Sequence, residues 1–261
     1  MTMAPPAPLT ASTPTSPTVD ATPRGARWLV RICGVWAAGC TIFMLLGTLL
    51  SPEPVVRAVM GMALGLALLW VGAAGGLMFA LRRRVRAATR RFDRWPRSTF
   101  VAFATTLALF EEAITTTMTN LAPLWGVPVE RAHITASANY LEVVLLHSVV
   151  VFVPMFAVWA WLLGRYRFHP ATVFLLFGVT GLLAETLSFG LANPLLAGFW
   201  IYVYGLMVYL PAGAFPPGPN RRRPRLAVVV GGIVLPLLAA VPVAVLLMLL
   251  NTPHHELPPP G

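Results

Sequence analysis

The sequence predicts an all-α fold, a polytopic transmembrane helix bundle of about seven spans. Three observations predict it. Hydrophobic residues make up 57% of the 261 and charged residues only 11%, against roughly 25% charged in an ordinary soluble domain. Several apolar runs reach the ~20 residues a helix needs to cross the hydrocarbon core of a bilayer. The 19 basic residues, all of them arginine, gather in loops that alternate along the chain, which is the positive-inside pattern.

Residues 1–26 are mostly Pro, Thr, Ser and Ala, too poor in large apolar groups to pack, and are expected to form a disordered cytoplasmic tail. The transmembrane bundle then occupies 27–251, with spans at about 28–50, 55–81, 98–120, 140–163, 171–190, 195–215 and 226–250. Residues 252–261 form a short external tail. The second span is long and rich in glycine, so it is expected to tilt. The seventh carries Pro236 and Pro242 and is expected to kink. Cys33 and Cys40 share one helix face and cannot bridge each other, so both read as packing residues.

Charge sets the orientation. Arg24, Arg27 and Arg31 open the first span, and eight arginines lie in "RRRVRAATRRFDRWPR" (82–97). Arg165 and Arg167 follow the fourth span, and Arg221, Arg222, Arg223 and Arg225 precede the seventh. Threading these loops inside puts the N-terminus in the cytoplasm and the C-terminus outside, in a bacterial-type inner (plasma) membrane. The absence of lysine excludes Schiff-base and P-loop chemistry. No nucleic-acid partner is expected, because the basic charge is an orientation signal. Anionic lipid headgroups are the expected partners of the 82–97 loop, with Phe92 and Trp95 as interfacial anchors.

The middle of the chain reads as an internal repeat. Glu112 is followed eight residues on by Asn120, and Glu185 eight residues on by Asn193. Small residues precede each acid at the same offsets, Thr105 and Ala108 in one copy and Gly178 and Gly181 in the other. A hydroxyl follows three residues on, Thr115 and Ser188. The next helices also match, "HSVVVFVP" (147–154) against "YGLMVYLP" (204–211), pairing His147 with Tyr204. Spans 3–4 and 5–6 thus read as a duplicated helical hairpin, whose pseudo-twofold would bring Glu112, Glu185, His147 and Tyr204 toward one axis.

The acids in the spans are the candidate chemistry. Burying a carboxylate at bilayer depth costs at least ~2.5 kcal/mol, so such a group faces the bundle interior, meets water or holds a proton. Counting from the outer helix ends at 1.5 Å per residue, Glu112 lies ~12 Å deep, His147 ~10 Å and Glu185 ~8 Å. Glu142 lies only ~3 Å in and reads as interfacial. Glu111 adjoins Glu112, and two buried carboxylates side by side repel. Glu111 and Glu112 are therefore the candidate catalytic or proton-handling pair. Glu185, His147, Thr115, Asn120, Asn193 and Tyr204 are candidate substrate- or ion-binding residues. The bland alternative is helix glue, a protonated Glu bonded to threonine or backbone and worth under ~2 kcal/mol.

Three functions compete on these residues. The first is proton- or cation-coupled handling of a substrate, with Glu112 and Glu185 as carriers and His147 as relay; seven spans leave little room for two moving bundles, which would call for a homodimer. The second is a membrane-embedded metal-dependent hydrolase. A Glu-Glu pair in one span with His147 on the next resembles the intramembrane metalloproteases of the CAAX-processing and bacteriocin-immunity group. Their pattern continues Glu-Glu-x-x-x-Arg, Phe-x-x-x-His and His-x-x-x-Asn/Asp. Here Thr116 stands for the Arg and Val143 for the Phe, while His133 and His169 are followed by Ser137 and Val173. The resemblance covers two short patches and membership does not follow from it. It implies Glu111 or Glu112 as general base and a divalent metal held by His147 and Glu185, with Glu112 as the remaining donor. The third is a non-catalytic assembly or accessory membrane protein.

Overall fold

The computed structural model describes residues 24–189, 193–218 and 221–250. Most of the expected tail (1–26) and all of the expected external tail (252–261) lie outside the described residues. The first helix, α1 (Arg24–Leu50), takes in the last three residues of that expected tail. The chain continues as α2 (Pro54–Leu66), a π-helical stretch (Ala67–Ala74) and α3 (Gly75–Thr89), one column in three parts. Then come α4 (Pro96–Asn120), a short α5 (Tyr140–Glu142) running into a π turn (Val143–His147), and α6 (Val149–Arg165). The set closes with α7 (Pro170–Phe189), α8 (Ala197–Ala214) and α9 (Leu226–Leu250). Pro54, Pro96 and Pro170 each stand at a helix start, where the missing N–H costs nothing and the fixed φ suits the first turn.

The molecule is an all-α bundle with long apolar helices of the kind that cross membranes, and two of the seven expected spans differ in detail. Among the described residues five helices are long and apolar enough to cross a membrane, and a sixth is reached by joining 140–147 to α6 across a 48° bend. The expected continuous span at 140–163 is therefore broken at Ser148. The π turn explains the break, since it displaces the hydrogen-bond ladder: the Ser148 N–H donates to the Val143 carbonyl at 2.9 Å, five residues back. The expected span at 98–120 forms helix α4, but it falls outside the qualifying set. Its threonines and its Glu pair lower its hydropathy. The helix from Pro54 to Phe92 runs 39 residues, roughly 58 Å at 1.5 Å per residue. That exceeds the hydrocarbon core, so its arginine-bearing end projects beyond it.

Packing sorts the helices into inside and outside. Helix α8 is the central column, with 72% of its apolar window buried, whereas α9 has 11% and α1 17%. The outer helices carry exposed Val35, Leu49, Leu238 and Met248, an apolar surface that only lipid or another apolar partner suits. Helices α7 and α8 touch most closely. A Cβ built on Gly178 would come within 2.5 Å of the Ile201 carbonyl oxygen, and one on Gly181 within 2.0 Å of the Tyr204 ring. Small residues let the two backbones approach, as in membrane helix pairs generally. Helix α4 packs against α6, α8 and α2, which places it inside the bundle.

The two ends of the bundle differ. At one end the arginine segments meet. Tyr166 and Arg222 form a parallel bridge in which the Arg167 N–H donates to the Arg222 carbonyl (2.9 Å) and the Arg222 N–H to that of Arg165 (3.0 Å). The Arg97 guanidinium lies against Gly164 at this same end. The far end is closed by the segment from 121 to 139, with a satellite core of Val55, Ala58, Met62, Ala122, Val127 and Ala132.

Candidate functional site

Helix α4 lies between α2, α6 and α8, so adjacent residues separated by about 100° of helix turn can both be buried. Glu111 and Glu112 are 5% and 7% exposed. Neither stands alone. The Thr115 hydroxyl, one turn on, lies 2.9 Å from the Glu111 carboxyl and 2.8 Å from its backbone carbonyl. The Ser148 hydroxyl donates to the Val143 carbonyl at 3.3 Å and stands beside the Glu112 carboxyl. Ser148 reaches it from the bend at the start of α6, where the wide π turn has rotated the side chains that follow.

Glu185 comes from α7. It accepts a hydrogen bond from the buried Tyr204 hydroxyl of α8. Gly181 makes this contact possible. It sits one turn before Glu185 on the same face, and the Tyr204 ring lies directly over it. Any side chain there would hold the phenol away. Glu185 also acts electrostatically on Glu111 and Glu112, and all three carboxyls act on Tyr204. The site is thus a carboxyl layer drawn from α4 and α7 and bridged by hydroxyls from α6 and α8.

The surrounding polar groups are few. The Tyr140 hydroxyl donates to the Leu109 carbonyl at 2.9 Å and lies near Glu112. The buried Trp70 indole, in the π-helical stretch of the second column, donates to the Val203 carbonyl beside Tyr204 at 2.9 Å. Both π segments thereby border the acid layer, and π turns inside α-helices recur at functional sites. The Thr116 hydroxyl, one turn beyond Glu112, is buried without a hydrogen-bond partner among the described residues.

The candidates named from the sequence fall into three groups. Glu111, Glu112, Glu185, Thr115 and Tyr204 come together. Asn120 does not join them. It is exposed, and its amide donates to the Thr116 and Ala138 carbonyls, both at 2.9 Å, stapling the end of α4 to the loop. His147 is half-buried at the end of the π turn, next to Ser148. The side chain of Asn193 lies outside the described residues. Glu142, expected at the interface, accepts from the Ser137 hydroxyl at 2.7 Å in the loop-side cluster. Ser148 and Tyr140 were not legible as site residues; the hydroxyl one residue after His147 was the available signal for the first.

A metal does not fit this arrangement. Among the described residues no three His, Cys, Asp or Glu side chains are grouped so as to hold a metal ion, and Glu112, His147 and Glu185 form no such set. One Glu111 carboxyl oxygen bonds the Thr115 hydroxyl. No protein family, curated protein or solved structure matches the chain, so the reading of its function rests on the site alone.

Proposed function

We propose that this protein moves protons within the membrane and couples them to the passage of a substrate, through Glu111, Glu112 and Glu185. The observation that carries the reading is the company these acids keep. Thr115 and Tyr204 hydroxyls bond Glu111 and Glu185 and the Ser148 hydroxyl stands beside Glu112, and the electrostatic neighbours of Glu111 and Glu112 include other carboxyls. Three carboxylates in one low-dielectric layer cannot all stay charged without balancing charge. With no metal-holding set among the described residues, protons are the balancing species this chemistry favours. Hydroxyls suit the role because each can donate and accept, so a proton can pass between α4 and α6 and between α7 and α8 without a side chain leaving its helix.

The same reading assigns the arginine-rich end to the cytoplasm of a bacterial-type inner membrane, where the 82–97 loop meets anionic headgroups. It also makes a homodimer the expected unit, since one bundle of this size offers little to rock against.

Purified protein in liposomes loaded with a pH-sensitive dye tests the proposal. An imposed membrane potential should drive proton uptake, and Glu112→Gln and Glu185→Gln should each slow it about a hundredfold, the scale of a lost proton-transfer group. Infrared titration should show protonated-carboxyl bands that disappear in the same variants. Uptake equal to that of empty liposomes, with no titrating carboxyl band, would overturn the reading and leave the acids as helix glue.

A further inference from the structure

A second site lies on the lipid-facing side of the bundle. Helices α6 and α9 run side by side and leave a groove of about 510 Å³ lined by Ala157, Val158, Trp161, Leu235, Leu238 and Ala239. The groove is shallow and open along its length, and its lining is apolar apart from the Trp161 indole N–H. The groove has a direction. One turn past Trp161 toward the arginine end stands Arg165, whose guanidinium sits 4.8 Å from the Trp161 ring centroid. The bridge between Tyr166 and Arg222 then fixes a second arginine segment beside Arg165.

Like charges are crowded at this end of the bundle. Arg221 is packed over Phe215 at 5.1 Å, and burial, then the charge of Arg167, lowers its pKa. Two main-chain hydrogen bonds hold the two arginine segments together, and the Arg165 guanidinium is exposed beside the groove. Helix α9 begins four residues after Arg222, adding the positive end of its dipole.

We infer that this groove binds one anionic phospholipid, with an acyl chain between α6 and α9 and the phosphate on Arg165. An apolar slot ending in a Trp–Arg stack at headgroup level matches the two halves of such a molecule. A second copy of the chain fits less well, because its matching end is itself rich in arginine and brings no anion to Arg165. The inference stands independently of the proton-handling proposal.

Native mass spectrometry of detergent-purified protein, with phosphatidylglycerol and phosphatidylcholine of equal chain length added, tests it. One phosphatidylglycerol per chain should bind, and phosphatidylcholine should not displace it. Arg165→Gln should weaken binding about fivefold, the worth of one guanidinium at a headgroup. Ala157→Phe should abolish it by filling the slot, with Ala239→Phe on the opposite wall as a second filler should the first misfold. Arg131→Gln, in the segment that closes the far end, should leave it unchanged. Equal binding of both lipids, retention of lipid in both filled variants, or a wild-type dimer that Ala157→Phe splits would overturn the inference.

Discussion

Gly181 shows how a residue without a side chain shapes a polar site. Its missing Cβ is where the Tyr204 ring lies, and that ring aims its hydroxyl at Glu185. Gly181→Ala should therefore cost about 1–3 kcal/mol through overpacking, read as a lower thermal midpoint in detergent, and should also displace the phenol. Tyr204→Phe keeps the packing and removes only the hydrogen bond, so its stability cost should be near 1 kcal/mol, with proton uptake falling alongside. A Phe variant with unchanged uptake would assign Tyr204 to packing alone. The sequence made Glu111, Glu112, Glu185 and Tyr204 legible because an acid in an apolar run announces itself. Ser148 was not legible. Serine is unremarkable in a helix, and its place opposite Glu112 depends on a local widening of the backbone that no residue type signals.

At the level of elements, helix positions followed from apolar runs and from the prolines that open α2, α4 and α7. What periodicity missed was the pair of π segments, because stripe counting assumes one constant turn angle. Asn120 shares the Glu112 stripe on an ideal helix, yet the helix ends there and the amide turns to the loop carbonyl of Ala138. The π turn before Ser148 can be tested by shortening it. Deleting Leu145, whose side chain is exposed, should restore a regular ladder and rotate each preceding residue by about 100° relative to α6. The Tyr140 hydroxyl should then leave the Leu109 carbonyl, read as a thermal midpoint that falls at least as far as that of Tyr140→Phe. If the deletion leaves the midpoint at its wild-type value, the turn does not set the contact. Helix α4 supplies the converse lesson: its threonines, which weaken its apolar signal, sit where bundle-facing hydroxyls are needed.

Over the whole molecule, charge and hydropathy agree on two ends, and the fold gathers Arg97, Arg165, Arg167 and Arg222 at one of them. In a variant with Cys33 and Cys40 replaced by Ser, a cysteine at Arg86 should react with an impermeant maleimide only from the cytoplasmic side. One at the exposed Leu124 should react only from outside. The reverse pattern would invert the proposed orientation. Most of the bundle was legible in this way because membrane insertion imposes one coarse rule on every span. The site was legible only in part, because its contacts join α4 to α6 and α7 to α8 through angles that sequence spacing does not carry.

The bridge between Tyr166 and Arg222 has a mechanical consequence. Two main-chain bonds clamp the exit of α6 to the approach of α9, so those columns can hinge about that end but cannot part there. Breathing that admits water or a solute to the carboxyls is easier at the other end, where the Asn120 amide bonds the Ala138 carbonyl and the Thr119 hydroxyl accepts from the Ile134 N–H above the satellite core.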